Sequence, residues 1–293
     1  MKSDKLVSVV IATYNMSQFL PMAVKSVLEQ TYENLEVHVV DDGSTDHTRE
    51  SVRGFTVDKR VKYHYQTNQG QASAKNRGIR ESKGEYIAFL DADDMWMSKK
   101  LERQLPLFDD AGVIGVVYSS GTSINEEGEV IPPGEWNYFI GKITGRLLIA
   151  NCVPFDSAVV RRECFETIGL FDESLRMGID YDLWLRISTK YEFGYLNEPT
   201  FIYRVWSGQM SRNYIGRYEW GIKIMRDFLK KHPNLVDEDT IREAWAHTYV
   251  GRGSCWANFG KDRLKAFKDY LRALGYKPTY LPAWKGVAGL LLR

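Results

Sequence analysis

The 293-residue sequence contains few cysteines. Only three occur, Cys152, Cys164 and Cys255, and they are far apart in the chain. An odd number at such spacings predicts neither a disulfide framework nor a cysteine-rich metal site. We therefore expect the protein to work in a reducing compartment, and we predict a cytoplasmic location.

The sequence also lacks a long apolar run and an excess of charge of either sign. No apolar stretch approaches the length of a membrane span, and the first residues, MKSDKLVSVV, lack the layout of a signal peptide. The 39 basic and 38 acidic side chains leave a net charge of +1, which gives no argument for nucleic acid as a partner. We expect a soluble protein, at most peripherally attached to the inner face of a membrane.

Two common nucleotide-binding motifs are missing as well. The chain contains neither GxGxxG nor GxxxxGK[ST], and this disfavours Rossmann dinucleotide binding and P-loop ATPase activity. The apolar fraction of 44% and the charged fraction of 26% are ordinary for a globular protein. The length allows one large domain or two small ones.

Strand-like and helix-like segments alternate through the N-terminal half. β-rich apolar runs predict strands at 6–13, 35–40, 60–65, 85–90 and 113–118. Helical spacing predicts helices at 17–30, with Ser17 as N-cap, at 72–81 and at 98–108. The alternation predicts an α/β fold with a mostly parallel central sheet flanked by helices.

Polar clusters follow three of the predicted strands directly. They are Thr13-Tyr14-Asn15, Asp41-Asp42 and Asp91-Ala92-Asp93-Asp94. In parallel sheets, ligands bind beyond the carboxyl ends of the strands. We therefore expect the three clusters to converge on one edge of the sheet and to form a binding site there.

The last of these clusters places three carboxylates within four residues. Such a group needs a compensating positive charge, and carboxylate oxygens suit Mg²⁺ or Mn²⁺ held together with substrate phosphates. The alternative is a solvated acidic turn in which Asp94 caps the next helix. In the same way, Asp41-Asp42 either starts a turn and caps a helix or accepts a hydrogen bond from a base or ribose.

A basic side chain also lies on the predicted helix that precedes the acidic turn. Lys75 is one helical turn from Gln71 on the same face, so it could reach a diphosphate. The alternative for Lys75, as for Arg77, is an ordinary solvated helix charge.

Four segments together resemble a known family. They are VSVVIATYN (7–15), VDDGSTD (40–46), NQGQASAKNRGI (68–79) and GEYIAFLDADD (84–94). Their wording, order and spacing are similar to those of the inverting family 2 glycosyltransferases, which have the GT-A fold. The resemblance covers about residues 6–120 strongly and continues more loosely to about residue 206.

The resemblance implies a nucleotide-sugar site at the edge of the sheet. By position, Thr13, Tyr14 and Asp42 would hold the base and ribose, and Lys75 would lie in the same site. Asp91 and Asp93 match the DxD motif of the family, which binds the ribose and a Mn²⁺ or Mg²⁺ ion. Asp93 is the expected direct metal ligand, and a UDP-sugar is the expected donor.

The segment at 178–186, GIDYDLWLR, predicts a helix that carries Asp180 near its N-terminus. From the residues alone, Asp180 is an acid favoured by the helix dipole. The segment resembles a family block, Glu-Asp-Tyr-Asp-Leu-Trp-Leu-Arg, whose first Asp is the general base, and this implies that Asp180 is catalytic. The Glu of that block is Ile179 here, so its contact with the acceptor would be missing.

The remaining C-terminal sequence gives fewer signals. The connecting region at 121–150 carries Trp136, Tyr138 and Phe139, which contact an acceptor sugar or merely pack. Segment 156–161 predicts a strand and 162–168 a short helix, 201–206 a closing strand, and the residues from 214 onward helices. Processive synthases of the family have a Gln-x-x-Arg-Trp motif and membrane helices. The matching segment here, Gln209-Met210-Ser211-Arg212-Asn213, lacks the Trp, and the sequence has no apolar run of that length. A single-sugar transferase is therefore favoured over a polymerase.

We divide the chain into a GT-A domain at 1–212 and a helical extension at 213–293. The nucleotide-sugar half of the domain would be about 1–120 and the acceptor half about 121–212. The tail from Tyr280 to Arg293 is apolar, aromatic and basic. It could be an interfacial membrane anchor, a docking tail or a dimer contact, so an oligomer stays open.

The predicted function is that of a metal-dependent inverting glycosyltransferase of the hexosyltransferase type. It would move one sugar from a nucleotide-sugar to a hydroxyl of a glycan or lipid-linked saccharide, as in cell-surface polysaccharide assembly. One alternative is a catalytically silent nucleotide-sugar-binding module. Another is a nucleotidyltransferase. Such an enzyme would have a Gly-rich segment with Lys or Arg after its first strand, whereas the segment here is Thr13-Tyr14-Asn15-Met16.

Overall fold

The computed structural model describes residues 5–108, 112–132 and 137–292. The chain divides into two compact units. The first is formed by the residues up to Lys142, Val153–Arg176 and Lys190–Trp206, and the second by Ile143–Cys152, Met177–Thr189 and the residues from Ser207 onward. The domain boundary at 212/213 stays a prediction. Ile143–Cys152 and Met177–Thr189 belong to the same compact unit as the C-terminal helices.

The first unit is built on a mixed sheet. Its strands are β1 Val7–Thr13, β2 Leu35–Asp41, β3 Val61–Tyr65, β4 Tyr86–Phe89, β5 Met95–Trp96, β6 Ile114–Ile124, β7 Val130–Ile131, β8 Val159–Arg161 and β9 Glu192–Arg204. They lie in the order β3-β2-β1-β4-β8-β6-β9-β5, with β7 paired to β6. The α/β fold class is confirmed.

Strand direction changes across this sheet. β3, β2, β1 and β4 are parallel, as the alternation of strand and helix predicts. β8 runs antiparallel to both β4 and β6, and β5 runs antiparallel to β9. The expectation of a mostly parallel sheet therefore describes the N-terminal strands, whereas the later strands pair in both directions.

The helices lie between and after these strands. They are α1 Leu20–Leu28, α2 Thr48–Val52, α3 Gln71–Glu81, α4 Lys100–Gln104, α5 Thr144–Ile149, α6 Arg162–Ile168, α7 Ile179–Ile187, α8 Tyr214–Lys231, α9 Glu238–Asn258, α10 Arg263–Tyr276 and α11 Leu281–Leu291. In the first unit, α1 contacts β1 and β5, and Leu20, Val24 and Val27 on its apolar side are fully buried in the core. Burial of each such side chain stabilises the fold by about 1.5–3 kcal/mol.

Two predicted helix boundaries are wrong for local reasons. α1 begins at Leu20 with Pro21 in its first turn, and Ser17 is not its N-cap. The backbone N–H of Ser17 instead donates to Asp46. The helix predicted at 98–108 is α-helical only over Lys100–Gln104 and ends in a 3₁₀ turn at Leu105–Leu107, because a proline at 106 cannot continue the hydrogen bonding of an α-helix.

The predicted strands in the later part of the first unit also differ from the observed ones. β6 continues to Ile124, and the closing strand begins at Glu192 and ends at Arg204. Asp156 lies in a 3₁₀ turn, Phe155–Ser157, rather than in the strand that follows it. This turn brings Asp156 out of the sheet and toward the end of β4.

The second unit is helical. Ala246 of α9, Ala273 of α10 and Ala283 of α11 are fully buried and form a core of small side chains. Such residues let the helices approach closely, while Tyr249 and Tyr280 pack around them. None of the helices in the described part of the chain combines the length and apolar character that a bilayer crossing requires.

Glu36 ties the amino ends of the parallel strands together. Its carboxylate accepts hydrogen bonds from Ser8 Oγ at 2.8 Å, Lys62 Nζ at 2.7 Å and the backbone N–H of Lys83 at 2.6 Å. Burial alone would raise the pKa of Glu36, but the hydrogen bonds from Lys62, Lys83 and Ser8 outweigh it and lower this pKa to about 2. The ionised carboxylate therefore stabilises the sheet at the edge opposite to the polar clusters.

We expect Glu36→Gln to lower the free energy of unfolding at neutral pH by about 2–3 kcal/mol. Because the pKa of Glu36 is lowered in the folded protein, its carboxylate stabilises the fold above the unfolded-state pKa of about 4.3. This contribution is lost as the pH falls toward 2. Urea denaturation at neutral pH and at about pH 3 should therefore show a difference between wild type and variant that narrows in acid.

Glu29→Gln is the matched control for this measurement, because Glu29 is exposed and its ion pair with Lys25 is a surface pair of small energetic value. An equal loss of stability in both variants, or a difference for Glu36→Gln that does not change with pH, would contradict the assignment.

Candidate active site

The three polar clusters lie at one edge of the sheet of the first unit. Thr13 is opposite Asp41 in the parallel register of β1 and β2, and the Asp42 N–H donates to the Thr13 carbonyl at 2.9 Å. β4 pairs with the other side of β1, and Leu90 N–H donates to the Val10 carbonyl at 3.2 Å. The chain thus leaves β1, β2 and β4 on the same side.

The end of β1 presents a buried hydroxyl and an exposed ring. Thr13 is 4% exposed, and its Oγ1 makes no hydrogen bond to the described residues. The Tyr14 side chain that follows is 47% exposed. A buried hydroxyl without a partner, beside an accessible aromatic ring, is suited to contact a planar polar ligand such as a base.

Asn15, a member of the first cluster to which the sequence assigned no role of its own, connects the first two clusters. Its backbone is left-handed, with φ of 54°, which Asn tolerates better than most residues. Its side-chain oxygen accepts from the Thr45 N–H at 2.8 Å and the Asp46 N–H at 3.4 Å. The loop after β1 and the loop after β2 are therefore held together.

Asp46 strengthens the same connection. It accepts hydrogen bonds from the backbone N–H groups of Ser17 at 3.1 Å and Thr48 at 2.9 Å. Burial opposes its ionisation, but the hydrogen bonds from Thr48 and Ser17 outweigh this and lower the pKa of Asp46 to about 2. Its carboxylate therefore stays ionised across the physiological range.

The two acids at the end of β2 have different partners. Asp41 accepts from the Ser44 N–H at 2.8 Å and from the Tyr63 hydroxyl at 2.5 Å. Burial, together with this bond, raises the pKa of the Tyr63 hydroxyl well above its usual range. Asp41 is thus the turn-forming residue of the pair.

Asp42 shapes the loop that leads into α3. One carboxylate oxygen accepts from the Gln69 N–H at 2.9 Å and Gln66 Nε2 at 2.8 Å, and the other accepts from the Gly70 N–H at 2.8 Å. Gly70, at the start of α3, has φ of 92°, which favours glycine. Asp42 therefore fixes the start of the helix that carries Lys75.

Lys75 is buried and reaches the acidic turn. Its side chain is 3% exposed, and its Nζ lies 2.9 Å from Asp91 Oδ1 and 4.2 Å from the ring centre of Phe155. It is therefore not a solvated helix charge. The Asp91 carboxylate is partly accessible, with 42% of its side chain exposed, so it can contact both Lys75 and a ligand.

Asp156 is a further acid at this point that sequence reasoning assigned only to a strand. Its carboxylate accepts from the Asp91 N–H at 2.6 Å. Burial, followed by the nearby charge of Asp91, raises the pKa of Asp156 to about 7. A lone acid directly after the apolar stretch Cys152–Phe155 was the available signal for a buried role.

Asp94 is not the cap of the following helix, so that alternative is wrong. β5 intervenes before α4 begins at Lys100. The Asp94 carboxylate is buried and accepts from the Arg204 N–H at 2.7 Å. Burial and then the charge of Asp156 raise the pKa of Asp94 well above its usual range. Asp94 attaches the end of β9 to the acidic turn.

The end of β9 also contacts Asp93. Trp206 Nε1 donates to Asp93 Oδ2 at 2.7 Å, and Arg204 Nε donates to the Asp93 carbonyl at 3.2 Å. The Trp206 ring packs against Phe19 with ring centres 5.2 Å apart. Sequence reasoning missed Arg204 and Trp206. Their position at the end of the predicted closing strand was the only sign of a role.

The chemistry of Asp91 and Asp93 suits a divalent cation. Within the described ranges, no group of three or more His, Cys, Asp or Glu side chains could hold a metal ion by itself. Mg²⁺ and Mn²⁺ are commonly bound by one or two carboxylates, with substrate phosphates and water as the other ligands. The two carboxylates fit that kind of site and not an all-protein metal cage.

Asp180 lies in the second unit, in the first turn of α7. The helix begins after Gly178, whose φ of 71° is left-handed. Asn151 Nδ2 donates to Asp180 Oδ2 at 2.8 Å. Asp182, on the same helix, is instead paired with Arg186 at 2.8 Å. Ile179 is buried, so this position contributes to packing.

The aromatic residues of the connecting region are partly engaged in packing. Tyr138 stacks on Tyr195 with ring centres 4.4 Å apart, and the Tyr118 hydroxyl accepts from the Phe139 N–H at 2.7 Å. Trp136 lies outside the described residues. Contact of these residues with an acceptor stays a prediction.

Similar proteins share both the fold and the sequence pattern. An uncharacterized glycosyltransferase from Rickettsia felis is 32% identical over 232 residues, which are 79% of this chain and 38% of that protein. The chain thus spans about two fifths of the length of that relative.

Two solved structures have the same fold. TarS 1-349 from S. aureus in complex with UDP-GlcNAc matches with a TM-score of 0.62 and 18% identity over 95% of this chain and 91% of that chain. The mannosyltransferase PcManGT from Pyrobaculum calidifontis, in complex with GDP-Man and Mn²⁺, matches with a TM-score of 0.66 and 19% identity over 98% of this chain and 79% of that chain. The GT-A type of fold is therefore confirmed.

The family profile gives the assignment. The profile described as glycosyl transferase family 2 matches residues 8–169, a range that contains the strand ends, the loop before α3 and the acidic turn. Together with the fold and the arrangement of Asp42, Lys75, Asp91 and Asp93, this match confirms the resemblance seen in the sequence. The chain belongs to glycosyl transferase family 2.

Proposed function

We propose that the chain is a metal-dependent, inverting glycosyltransferase that moves one sugar from a nucleotide-sugar to a hydroxyl group. The observation that carries the proposal is the convergence of Asp42, Asp91 and Asp93 on one sheet edge in a family 2 chain. The family match disfavours a nucleotidyltransferase. A silent binding module is tested by the catalytic variants described below.

The donor would bind across the ends of β1, β2 and β4. The unpartnered Thr13 hydroxyl and the exposed Tyr14 ring support contact with the base. Because the Asp42 carboxylate already accepts three hydrogen bonds from 66–70, we assign it to ordering this loop as well as to the ribose. Asp91, paired with Lys75, would accept from a ribose hydroxyl.

Asp93 and Asp91 would hold Mn²⁺ or Mg²⁺ together with the diphosphate. When bound, the cation supplies electrostatic stabilisation of the negative charge that develops on the leaving nucleoside diphosphate. The hydrogen bond from Trp206 to Asp93 supports this role, because it fixes the orientation of the carboxylate. Lys75 adds a positive charge that limits repulsion among the acids around it.

Asp180 is proposed as the general base. Its carboxylate takes the proton of the acceptor hydroxyl while the hydroxyl oxygen attacks the anomeric carbon. The bond from that carbon to the diphosphate oxygen breaks as the new bond forms, so one displacement inverts the anomeric centre. The hydrogen bond from Asn151 holds one carboxylate oxygen. General-base assistance is typically worth about 10²–10⁴ in rate.

A UDP-sugar is the proposed donor and a glycan or lipid-linked saccharide the proposed acceptor. Solved structures of the same fold contain UDP-GlcNAc in one case and GDP-Man with Mn²⁺ in another, so both nucleotides belong in the first screen. Thermal shift with UDP-, GDP- and dTDP-sugars in the presence of Mn²⁺ would identify the donor. A lipid-linked acceptor would be met at a membrane surface, and residues 280–293 are the proposed contact with it.

We expect Asp180→Asn to reduce transfer by at least about 10²-fold while donor binding stays unchanged, because the variant keeps the shape of the side chain and removes the base. Rapid-quench measurement of transfer and calorimetry of donor binding would separate the two effects. Asp182→Asn is the matched control, since Asp182 lies on the same helix and pairs with Arg186. Transfer at the wild-type rate by Asp180→Asn would remove Asp180 as the base.

We expect Asp93→Ala to weaken nucleotide binding in the presence of Mn²⁺ by about tenfold or more, and to leave the weaker binding without metal nearly unchanged. Calorimetric titration with UDP, with and without Mn²⁺, measures this difference. Asp227→Ala is the control, because Asp227 forms an exposed pair with Lys223 on α8. Equal metal-dependent binding by wild type and Asp93→Ala would exclude Asp93 as a ligand.

A further inference from the structure

Helix α11 exposes its large apolar side chains. Leu281, Trp284, Ala288 and Leu291 follow the spacing i, i+3, i+7 and i+10, which places them on one face of the helix. Leu281 is 68% exposed, Trp284 54% and Leu291 77%, and Leu292 just beyond the helix is also exposed. An apolar face of this kind on a helix surface usually marks a site of interaction.

The inner face of the same helix is built from small residues. Ala283 is fully buried in the alanine core shared with α9 and α10. Gly286 faces the Tyr270 ring so closely that a Cβ atom there would lie 2.5 Å from its Cζ. The one fully buried side chain of α11 within the described residues is therefore small, Val287 and Leu290 are half-buried, and the largest apolar side chains are outside, in contrast to the usual distribution.

Helix α10 runs antiparallel to α11 and has a similar outer face. Residue 263 contacts residue 290, and residue 270 contacts residue 286. On α10, Ala266 and Asp269 are directed to α9, where Asp269 pairs with Arg252 at 2.7 Å, whereas Leu264 and Leu271 are exposed. Both helices pack on α9 and on each other, so their exposed faces belong to neighbouring helices of the second unit. We call Leu264, Leu271, Leu281, Trp284, Leu291 and Leu292 the outer surface.

Basic residues outnumber acidic ones on α10 and α11. From Asp262 to Leu292 the sequence has six basic and two acidic residues, Asp262 and Asp269. Lys265, Arg272 and Lys277 form ion pairs with neighbouring acids. Lys268 and Lys285 are exposed, and each lies one turn after a leucine of the outer surface. No ion pair within the described residues engages either lysine, and both can extend toward negative charge.

A cavity of about 240 Å³ adjoins the outer surface. Its lining includes Asn258, Arg263, Lys285 and Gly289. The lining combines apolar side chains, such as Leu290, with the donor groups of Asn258, Arg263 and Lys285, and Arg263 also donates to the Leu290 carbonyl. Asn258 and Lys285 are the donors that a lipid phosphate would meet there.

We propose that the outer surface of α10 and α11 docks on an anionic lipid bilayer. Trp284 and the leucines would enter the boundary between headgroups and acyl chains, with Lys268 and Lys285 at the lipid phosphates. A second copy of the chain is a poorer occupant, because a symmetric contact would bring these lysines together. This surface extends the membrane contact proposed above from residues 280–293 to α10. Because lipid binding is measured without a sugar donor, the docking proposal can fail while the proposed transfer reaction stands.

Co-sedimentation with vesicles tests the proposal. The full chain should sediment with vesicles of phosphatidylcholine and phosphatidylglycerol, and only weakly with phosphatidylcholine alone. The double variant Trp284→Asp and Leu291→Asp should lose at least about tenfold in partition coefficient. Lys268→Glu and Lys285→Glu should each lower binding to the anionic vesicles by about fivefold or more.

Matched controls come from the first unit. Val57→Asp places a carboxylate at an exposed apolar residue, and Lys59→Glu reverses an exposed lysine; both should bind like wild type. Wild type that stays in solution with anionic vesicles overturns the proposal, as does equal binding by the outer-surface variants and their controls. A dimer in sedimentation equilibrium that is abolished by Leu291→Asp, without vesicle binding, overturns it in favour of a second copy of the chain.

Discussion

Electrostatic repulsion among acids at the end of β4 is the constraint on which the site depends. Asp91, Asp93, Asp94 and Asp156 lie within one small region, and two of them are fully buried. Carboxylates at such distances cannot all ionise without compensation. The ammonium of Lys75, 2.9 Å from Asp91, supplies part of it. Burial and the neighbouring acids raise the pKa values of Asp94 and Asp156, which favours their neutral forms.

This constraint explains why distant parts of the first unit meet at the acidic turn. β9 brings the Arg204 N–H to Asp94 and the Trp206 indole to Asp93, and α3 brings Lys75 to Asp91. Each contact provides a donor to an oxygen that would otherwise be poorly solvated. The accessible part of Asp91 and the oriented carboxylate of Asp93 then remain for a ligand. Asp94, which attaches β9 to the turn, and Asp91 and Asp93, which are proposed to bind the donor, are therefore neighbours in sequence with separate roles.

Much of this arrangement could be predicted because its signals are local. Apolar runs fix β1, β2 and β4, and the rule for parallel sheets places their polar ends together. The partners of the acids could not be predicted in the same way, because Asp91 and Asp156 are 65 residues apart, and Asp93 and Trp206 are 113 residues apart. For Asp94, a helix cap was a reasonable expectation from neighbouring residues, but the contact that forms is to the end of β9, far away in the chain.

The hydrogen bonds between Asp42 and the loop at 66–70 limit how the sequence of this loop can vary between related proteins. Two of its three hydrogen bonds come from backbone N–H groups, those of Gln69 and Gly70. Every residue except proline has a backbone N–H, so these two hydrogen bonds do not restrict the side chain at 69 further. The length of the segment around Gln69 and Gly70 is more restricted. An insertion between these two residues would move one of the two N–H donors away from the Asp42 carboxylate. Among related proteins, we therefore expect the side chains of this loop to vary while the number of residues around positions 69 and 70 stays the same.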